Sequence, residues 1–339
     1  MRVAVVGLGY WGPNLVRNLW ALEACTSVVA CDMDEGRVKR VLQRHPGTEA
    51  STSFDEVLAD PEVAAIVVAT PVKTHASLAR AALEARKSVL VEKPLATSAA
   101  EARELITLAR LQGQLVMAGH TFLYSPAVQV ARDLVRKGAL GKPLYLQSSR
   151  VNLGIHQSDV SVLWDLAPHD LSILLECIGD VPTRVSANGR STLRGRPSDV
   201  AFVDLEFASG FVANVHLSWL APTKMRRTTI VGTRKMMVYE DTNPEEPIKL
   251  YDKGVNVPYQ EAADDFGQYK LTYRTGNVVA PRIDTWEPLA AELDDFLRRV
   301  AAGETPDERE QTAALVVEII EAAEESLRSH GRPVDLAAR

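Results

Sequence analysis

The sequence predicts an α/β protein in two parts: an N-terminal domain on a doubly wound parallel sheet, then an α+β domain with a large open, mostly antiparallel sheet. Three observations carry this. From Arg2 to Met117 short apolar runs alternate with amphipathic helical stretches, as strands covered on both faces by crossover helices require. After Phe122 the runs lengthen and alternate polar with apolar between Gly, Asn and Pro turns, the pattern of a sheet with one buried face. The chain, at 339 residues, is also longer than one core fills, since single cores stop growing below about 300 residues. The division is expected at 1–121 and 122–339.

In the first part, strands are expected at Val3–Val6, Ser27–Cys31, Ala65–Ala69, Ser88–Val91 and Leu115–Ala118. Helices are expected at Ser77–Glu84 and Ser98–Leu111, the second capped by Thr97 or Ser98, whose hydroxyls can take an orphan N–H of the first turn. In the second part the strands are Leu144–Val151, Val200–Phe207, Val212–Leu220, Arg226–Val231 and Lys235–Glu240. A helix at Pro168–Ile178 carries Leu171, Leu174, Leu175 and Ile178 at helical spacing, and two helices, Pro288–Ala302 and Glu310–Ser329, close the chain. Thr242–Thr285, rich in Pro, Gly, Asp and Tyr, reads as a long loop or hairpin region, a length that often carries function.

Hydrophobic residues at 46% and charged residues at 24% are those of an ordinary soluble globular chain. A net charge of −6 argues against broad nucleic-acid binding, whose affinity comes from Lys and Arg on phosphates, so the expected partner is a small molecule. No apolar stretch is long enough to span a bilayer and no cleavable signal pattern opens the chain. Cys25, Cys31 and Cys177 are odd in number and lack C-x-x-C spacing, which reads as reduced thiols rather than a disulfide frame or a zinc site. The expectation is a cytoplasmic protein with no membrane or nucleic-acid partner and no metal.

Gly7, Gly9 and Gly12 form G-x-G-x-x-G between an apolar strand and a helix, and Asp32 follows about 20 residues later, at the end of the next strand. Gly7 permits a tight turn, Gly9 lets backbone approach a pyrophosphate, and Gly12 lets helix and strand pack closely, while the helix N-terminus offers free N–H groups. Pro13 suits that first turn. Asp32 can accept from ribose hydroxyls and repels a 2′-phosphate, which favours NAD; Arg37 keeps NADP open. Tyr10 and Trp11 are expected over the pyrophosphate turn or near the substrate mouth.

Three further groups fall where strands end, the edge at which open α/β sheets bind ligands: Thr70, Pro71 and His75; Glu92, Lys93 and Pro94; and Gly119 and His120. His75 reads equally as a helix-start residue bonded to backbone, and His120 as an interior histidine. Lys93, directly after an apolar strand, is costly to bury without a purpose and can steady a developing alkoxide.

In the second part, Asp165 and His169 stand four apart in L-W-D-L-A-P-H-D-L. With Asp165 as N-cap and Pro168 in the first turn, the carboxylate lies under the imidazole and orients it for removal of a hydroxyl proton. Beside a dinucleotide site this implies alcohol–ketone oxidoreduction, since the cofactor supplies only the hydride acceptor.

Together G-L-G-Y-W-G at 7–12, T-P-V-K-T-H at 70–75, E-K-P at 92–94, G-H at 119–120 and D-L-A-P-H-D at 165–170 resemble the glucose-fructose oxidoreductase, inositol dehydrogenase and MocA family (Gfo/Idh/MocA). The resemblance spans nearly the whole chain. It implies a Rossmann domain followed by an open sheet whose outer face makes a homodimer or homotetramer. It implies that Lys93 and His169 act at a sugar hydroxyl with Asp165 supporting His169, and that Glu92 and Thr70 to His75 lie along the nicotinamide half of NAD. G-Y-W-G-P-N and W-D-L-A-P-H-D-L look most like members that oxidise nucleotide-activated sugars at C3. A dehydrogenase of a free sugar or inositol, and a non-catalytic NAD-sensing regulator, are the alternatives.

For the substrate, Arg150, Asn152, His156, Lys224, Arg226, Arg227 and Arg282 are candidates to hold a diphosphate or carboxylate. Arg150 and Asn152, with Tyr124 and His120, are the expected substrate ligands.

Overall fold

The computed structural model describes residues 1–154, 160–192, 197–256 and 272–336. The chain divides into two compact units, Met1–Ser125 with Thr285–Glu321, and Pro126–Asp284 with Ala322–Arg339.

The first unit opens with β1 (Arg2–Val6), α1 (Gly12–Ala21), β2 (Ser27–Cys31), α2 (Glu35–Arg44), β3 (Glu49–Ser51) and α3 (Phe54–Ala59). It continues with β4 (Val63–Val68), α4 (His75–Glu84), β5 (Ser88–Glu92), α5 (Ala99–Gln112) and β6 (Val116–Gly119). The strands make one parallel sheet in the order β3-β2-β1-β4-β5-β6, so the winding reverses between β1 and β4, where such sheets bind ligands. The strand expected at Ala65–Ala69 begins two residues earlier, because Val63 pairs with Arg2 across an irregularity in the ladder. Ser98, not Thr97, caps α5, its hydroxyl accepting from the Glu101 N–H at 3.2 Å. Thr97 instead donates to the Glu101 carboxylate at 2.8 Å.

The second unit holds α6 (Pro126–Arg136), β7 (Pro143–Leu153), α7 (Val162–Ile178), β8 (Pro182–Arg190), β9 (Val200–Phe207) and β10 (Val212–Ser218). There follow β11 (Leu220–Gly232), β12 (Met236–Glu240), β13 (Ile248–Tyr251), β14 (Gly254–Asn256), β15 (Thr272–Arg274) and β16 (Val278–Val279). Among the described residues nine strands pair in the order β16-β13-β12-β11-β7-β10-β9-β8, with a last short strand beside β8; β10 runs parallel to β7 and the other pairings among them are antiparallel. The expected loop region thus contributes short strands, and its residues 257–271 lie outside the described residues, as does His156.

The helix expected at Pro168–Ile178 starts six residues earlier, at Val162, with Ser161 as N-cap and Pro168 inside the helix. Asp165 is therefore in the first turn and not the cap. Proline removes the bond its N–H would make to the carbonyl four residues back. The helix bears that loss because its apolar face, Leu163, Ala167, Leu171, Leu174 and Leu175, is buried.

The chain closes with α8 (Pro288–Ala301), α9 (Glu308–Arg328) and β17 (Val334–Asp335). Here the division expected at 122–339 is corrected: Thr285–Glu321 belongs to the first unit. The apolar stripe of α8, Leu289, Leu293, Phe296 and Leu297, sits in one core with Val3, Val5, Leu15, Leu19 and Leu115. Arg299 on α8 and Glu310 on α9 are both buried and bond twice, at 2.7 and 3.2 Å.

Candidate active site

Gly7, Asp32, Thr70, Lys93 and His120 each follow the last residues of a strand of the parallel sheet, so strand direction alone brings them to one edge. Gly7 has φ +95°, and a Cβ there would stand 2.7 Å from the Ala69 carbonyl; a side chain is excluded by backbone conformation and by space. A Cβ on Gly12 would stand 2.2 Å from the Gly7 oxygen. Around Gly9 nothing lies within 4 Å of that position. No side chain caps α1, whose first turn carries Pro13. Tyr10 and Trp11, in this turn, stand edge to face to one another, centroids 5.6 Å apart, Tyr10 83% exposed.

Asp32 is held in place by three donors: the Leu8 N–H at 2.7 Å and the Arg37 guanidinium at 3.4 Å on Oδ2, and the Asp34 N–H at 2.9 Å on Oδ1. These features fit a dinucleotide: backbone amides for the pyrophosphate, close approach at Gly9, and an oriented carboxylate for a ribose diol.

Thr70, Pro71 and His75 are joined by backbone bonds. The ring nitrogens of His75 lie 2.8 Å from the carbonyl oxygens of Thr70 and Pro94, and Thr74 donates to the Thr70 hydroxyl at 2.7 Å. His75 is buried, so of its two readings the one bonded to backbone is what the structure shows: it ties the end of β4 to the end of β5. Burial, more than the nearby Lys93 charge, pushes its pKa down.

Glu92 is the last residue of β5, paired with Gly119 of β6. Burial pushes its carboxyl up, opposed by the Lys93 ammonium and N–H. His120 is likewise interior: burial, then the Lys93 charge, lowers it to about 4, leaving a neutral imidazole at ordinary pH. Lys93 is thus set among a buried carboxyl and two buried imidazoles. Tyr124, expected near the substrate, donates its hydroxyl to Asp295 of α8 at 2.8 Å, and its carbonyl accepts from Trp286 at 2.9 Å. That is a tie within the first unit.

In the second unit Asp165 and His169 lie one turn apart on α7, both half-buried. Asp165 accepts from the Trp219 indole N–H at 3.2 Å, and the Ser172 hydroxyl donates to the His169 carbonyl at 2.9 Å. Asp170 is buried and takes the Ser148 hydroxyl at 2.6 Å and the Nε of Arg150. Arg150, expected as a substrate ligand, is 3% exposed and fastens α7 to β7. Asn152 is half-buried on β7 and donates weakly to the Leu153 carbonyl at 3.4 Å.

Sequence reading missed Trp219, Asp170 and Glu292. The last had a signal: it lies on the apolar stripe of α8, one turn from Leu289, where a charge is out of place.

A doubly wound parallel sheet with this glycine turn and oriented carboxylate defines a dinucleotide-binding domain. Residues 1–120 match the oxidoreductase family with an NAD-binding Rossmann fold, and residues 128–238 match the C-terminal domain of the same family. The chain belongs to the Gfo/Idh/MocA family and binds NAD.

UDP-N-acetylglucosamine 3-dehydrogenase of Acidithiobacillus ferrooxidans is 28% identical, covering 89% of each chain. The NAD-dependent scyllo-inositol 2-dehydrogenase of Bacillus subtilis is 26% identical over 99% of this chain and 96% of its own. The structure of GenD2 from gentamicin A biosynthesis, in complex with NAD, superposes with a TM-score of 0.83 at 26% identity, covering 100% of this chain and 97% of that one. Among the described residues no helix is long and apolar enough to cross a membrane.

Proposed function

We propose that the protein is an NAD-dependent dehydrogenase that oxidises a secondary hydroxyl of a nucleotide-activated sugar, at C3 of the sugar ring. The observation that carries the reading is similarity along 89% of the chain to a UDP-sugar 3-dehydrogenase, together with Lys93, Asp165 and His169 standing in the E-K-P and D-L-A-P-H-D motifs.

When bound, NAD supplies the acceptor for the hydride that leaves the carbinol carbon. Gly7 to Gly12 and the first turn of α1 hold the pyrophosphate, and Asp32 the adenosine ribose. His169 takes the hydroxyl proton as the C–H bond breaks, and Asp165 favours the imidazolium formed. Lys93 donates to the substrate oxygen while charge develops there. Asn152 is the candidate contact to the substrate. The products are the ketone, the reduced cofactor and one proton. The protein acts as a homo-oligomer in the cytoplasm; unpaired Cys25, Cys31 and Cys177 and exposed Tyr145, Phe202 and Val212 on one face of the second sheet support that reading.

The test is a spectrophotometric screen of UDP- and dTDP-sugars against free sugars and inositols, with NAD and NADP. Rapid reduction with a nucleotide sugar, lost by about a hundredfold or more in K93M and in H169Q, is the expected result. Turnover of free polyols alone overturns it in favour of a cyclitol or free-sugar dehydrogenase, the reading favoured by the scyllo-inositol 2-dehydrogenase match.

A further inference from the structure

Behind the Glu92–Lys93 corner lies a carboxyl that the mechanism above does not use. Glu292 of α8 is 0% exposed. Its Oε2 accepts from the Thr121 hydroxyl at 2.7 Å, and its Oε1 has no hydrogen-bond partner.

The backbone explains why it lies near Glu92. Glu92 and Gly119 are partners across β5 and β6, and the Glu92 carboxylate lies against Gly119: a Cβ built there would stand 3.5 Å from Oε2, ordinary contact. Thr121 follows two residues later and holds Glu292. Both carboxyls are therefore gathered where β5 and β6 end.

The groups that face Glu292 are Glu92, with Lys93 beside it on the strand end, and Asp295 one turn along α8. Asp295 is itself engaged by Tyr124, Arg298 and Arg309. Among the described residues no Lys, Arg or His pairs with Glu292 directly. A carboxylate at this depth with one hydroxyl donor is far costlier than the neutral acid. Burial and the Glu92 charge both push Glu292 well above the ordinary carboxyl range, whereas Glu92 has the Lys93 ammonium to draw it down. Of two interacting acids, the one beside the cation ionises first.

We propose that Glu292 is a positioning residue held as the neutral acid, its Oε2 taking the Thr121 hydroxyl, so that no second negative charge opposes the ionisation of Glu92 and Glu92 keeps its charge beside Lys93. The inference rests on the reading of Lys93 as the group that steadies the substrate oxygen. Glu292 acts on Lys93 only through Glu92. The part of the chain that supplies it returns to the first unit from more than 150 residues downstream of Thr121.

The test has two arms. The first needs no substrate. At neutral pH the infrared difference spectrum of the NAD-bound wild type against E292Q should contain the carbonyl stretch of a protonated carboxylic acid, above the amide I band, and it should persist where ordinary carboxyls have ionised. The second arm is the pH dependence of kcat. E292Q, uncharged like the neutral acid, keeps the acid limb where the wild type has it. E292L, also uncharged, leaves that limb in place as well.

An ionised Glu292 gives a different result: E292Q removes a negative charge and moves the limb down, with no protonated band lost. That result, or the same downward shift in E292L, overturns the proposal. If no sugar is turned over, the substrate reading fails while the infrared arm still decides the state of Glu292.

Discussion

The indole N–H of Trp219 donates to the Asp165 carboxylate at 3.2 Å, and Gly154 keeps the ring where it is, since a Cβ on Gly154 would stand 2.3 Å from it. A bond to a charged acceptor is worth about 1.5 kcal/mol or more, roughly tenfold in rate if it reaches the transition state. Trp219→Phe is therefore expected to lower kcat about tenfold with little change in KM for NAD. Gly154→Ala, which pushes the ring aside without altering its chemistry, should do the same. Steady-state kinetics of the two variants checks both, and a normal kcat in W219F removes the Trp219 bond from the mechanism.

Asp32 should decide between cofactors. Its Oδ2 carries both the Leu8 N–H and Arg37. In Asp32→Ser the ribose diol loses its acceptor and Arg37 is released to meet a 2′-phosphate. KM for NAD is expected to rise about tenfold, by the loss of a charge-assisted bond, while KM for NADP falls. Adding Arg37→Ala should abolish the gain with NADP.

His120 makes the protein acid-sensitive in a defined window. Burial and Lys93 lower its pKa from 6.5 to about 4, so between those values the unfolded chain binds a proton that the folded one does not. Stability therefore falls as pH drops from about 6.5 toward about 4 and levels off below. The shift corresponds to about 3 kcal/mol; His75, also lowered by burial, acts in the same direction. The melting temperature of His120→Gln should depend less steeply on pH in that range than that of the wild type.

Arg150 is expected to matter for stability before substrate. Breaking a buried ion pair from one side leaves a charge in the interior and costs about 3–5 kcal/mol. Arg150→Met should lose that much in urea unfolding, and Asp170→Leu added to it should recover a large part. A variant of ordinary stability that fails to saturate with substrate would instead make Arg150 a ligand.

Much of the first unit was legible in the sequence. Five apolar runs gave five of its six strands, because a strand buried on both faces has no polar positions to confuse it. β3, three residues with little burial, leaves no such trace. The glycines were legible for a similar reason: at Gly7 and Gly12 the backbone itself fills the space a side chain needs. The start of α7 was misread because proline usually opens helices, and only packing against the second sheet tells that Pro168 lies in the interior of one.

What the sequence determined by itself are the properties that depend on a few neighbouring residues: strand and helix period, the glycine turn, Asp32 at a strand end, and the family to which these motifs belong. What the tertiary structure alone decided are the partners of buried polar groups. His75 spans two strand ends, Arg150 serves Asp170, Trp219 serves Asp165, and Glu292 returns from the far end of the chain to take the Thr121 hydroxyl. The reason is physical: burial makes a polar side chain seek whatever donor or acceptor the fold brings within reach, and that partner is chosen by the path of the whole chain rather than by spacing along it.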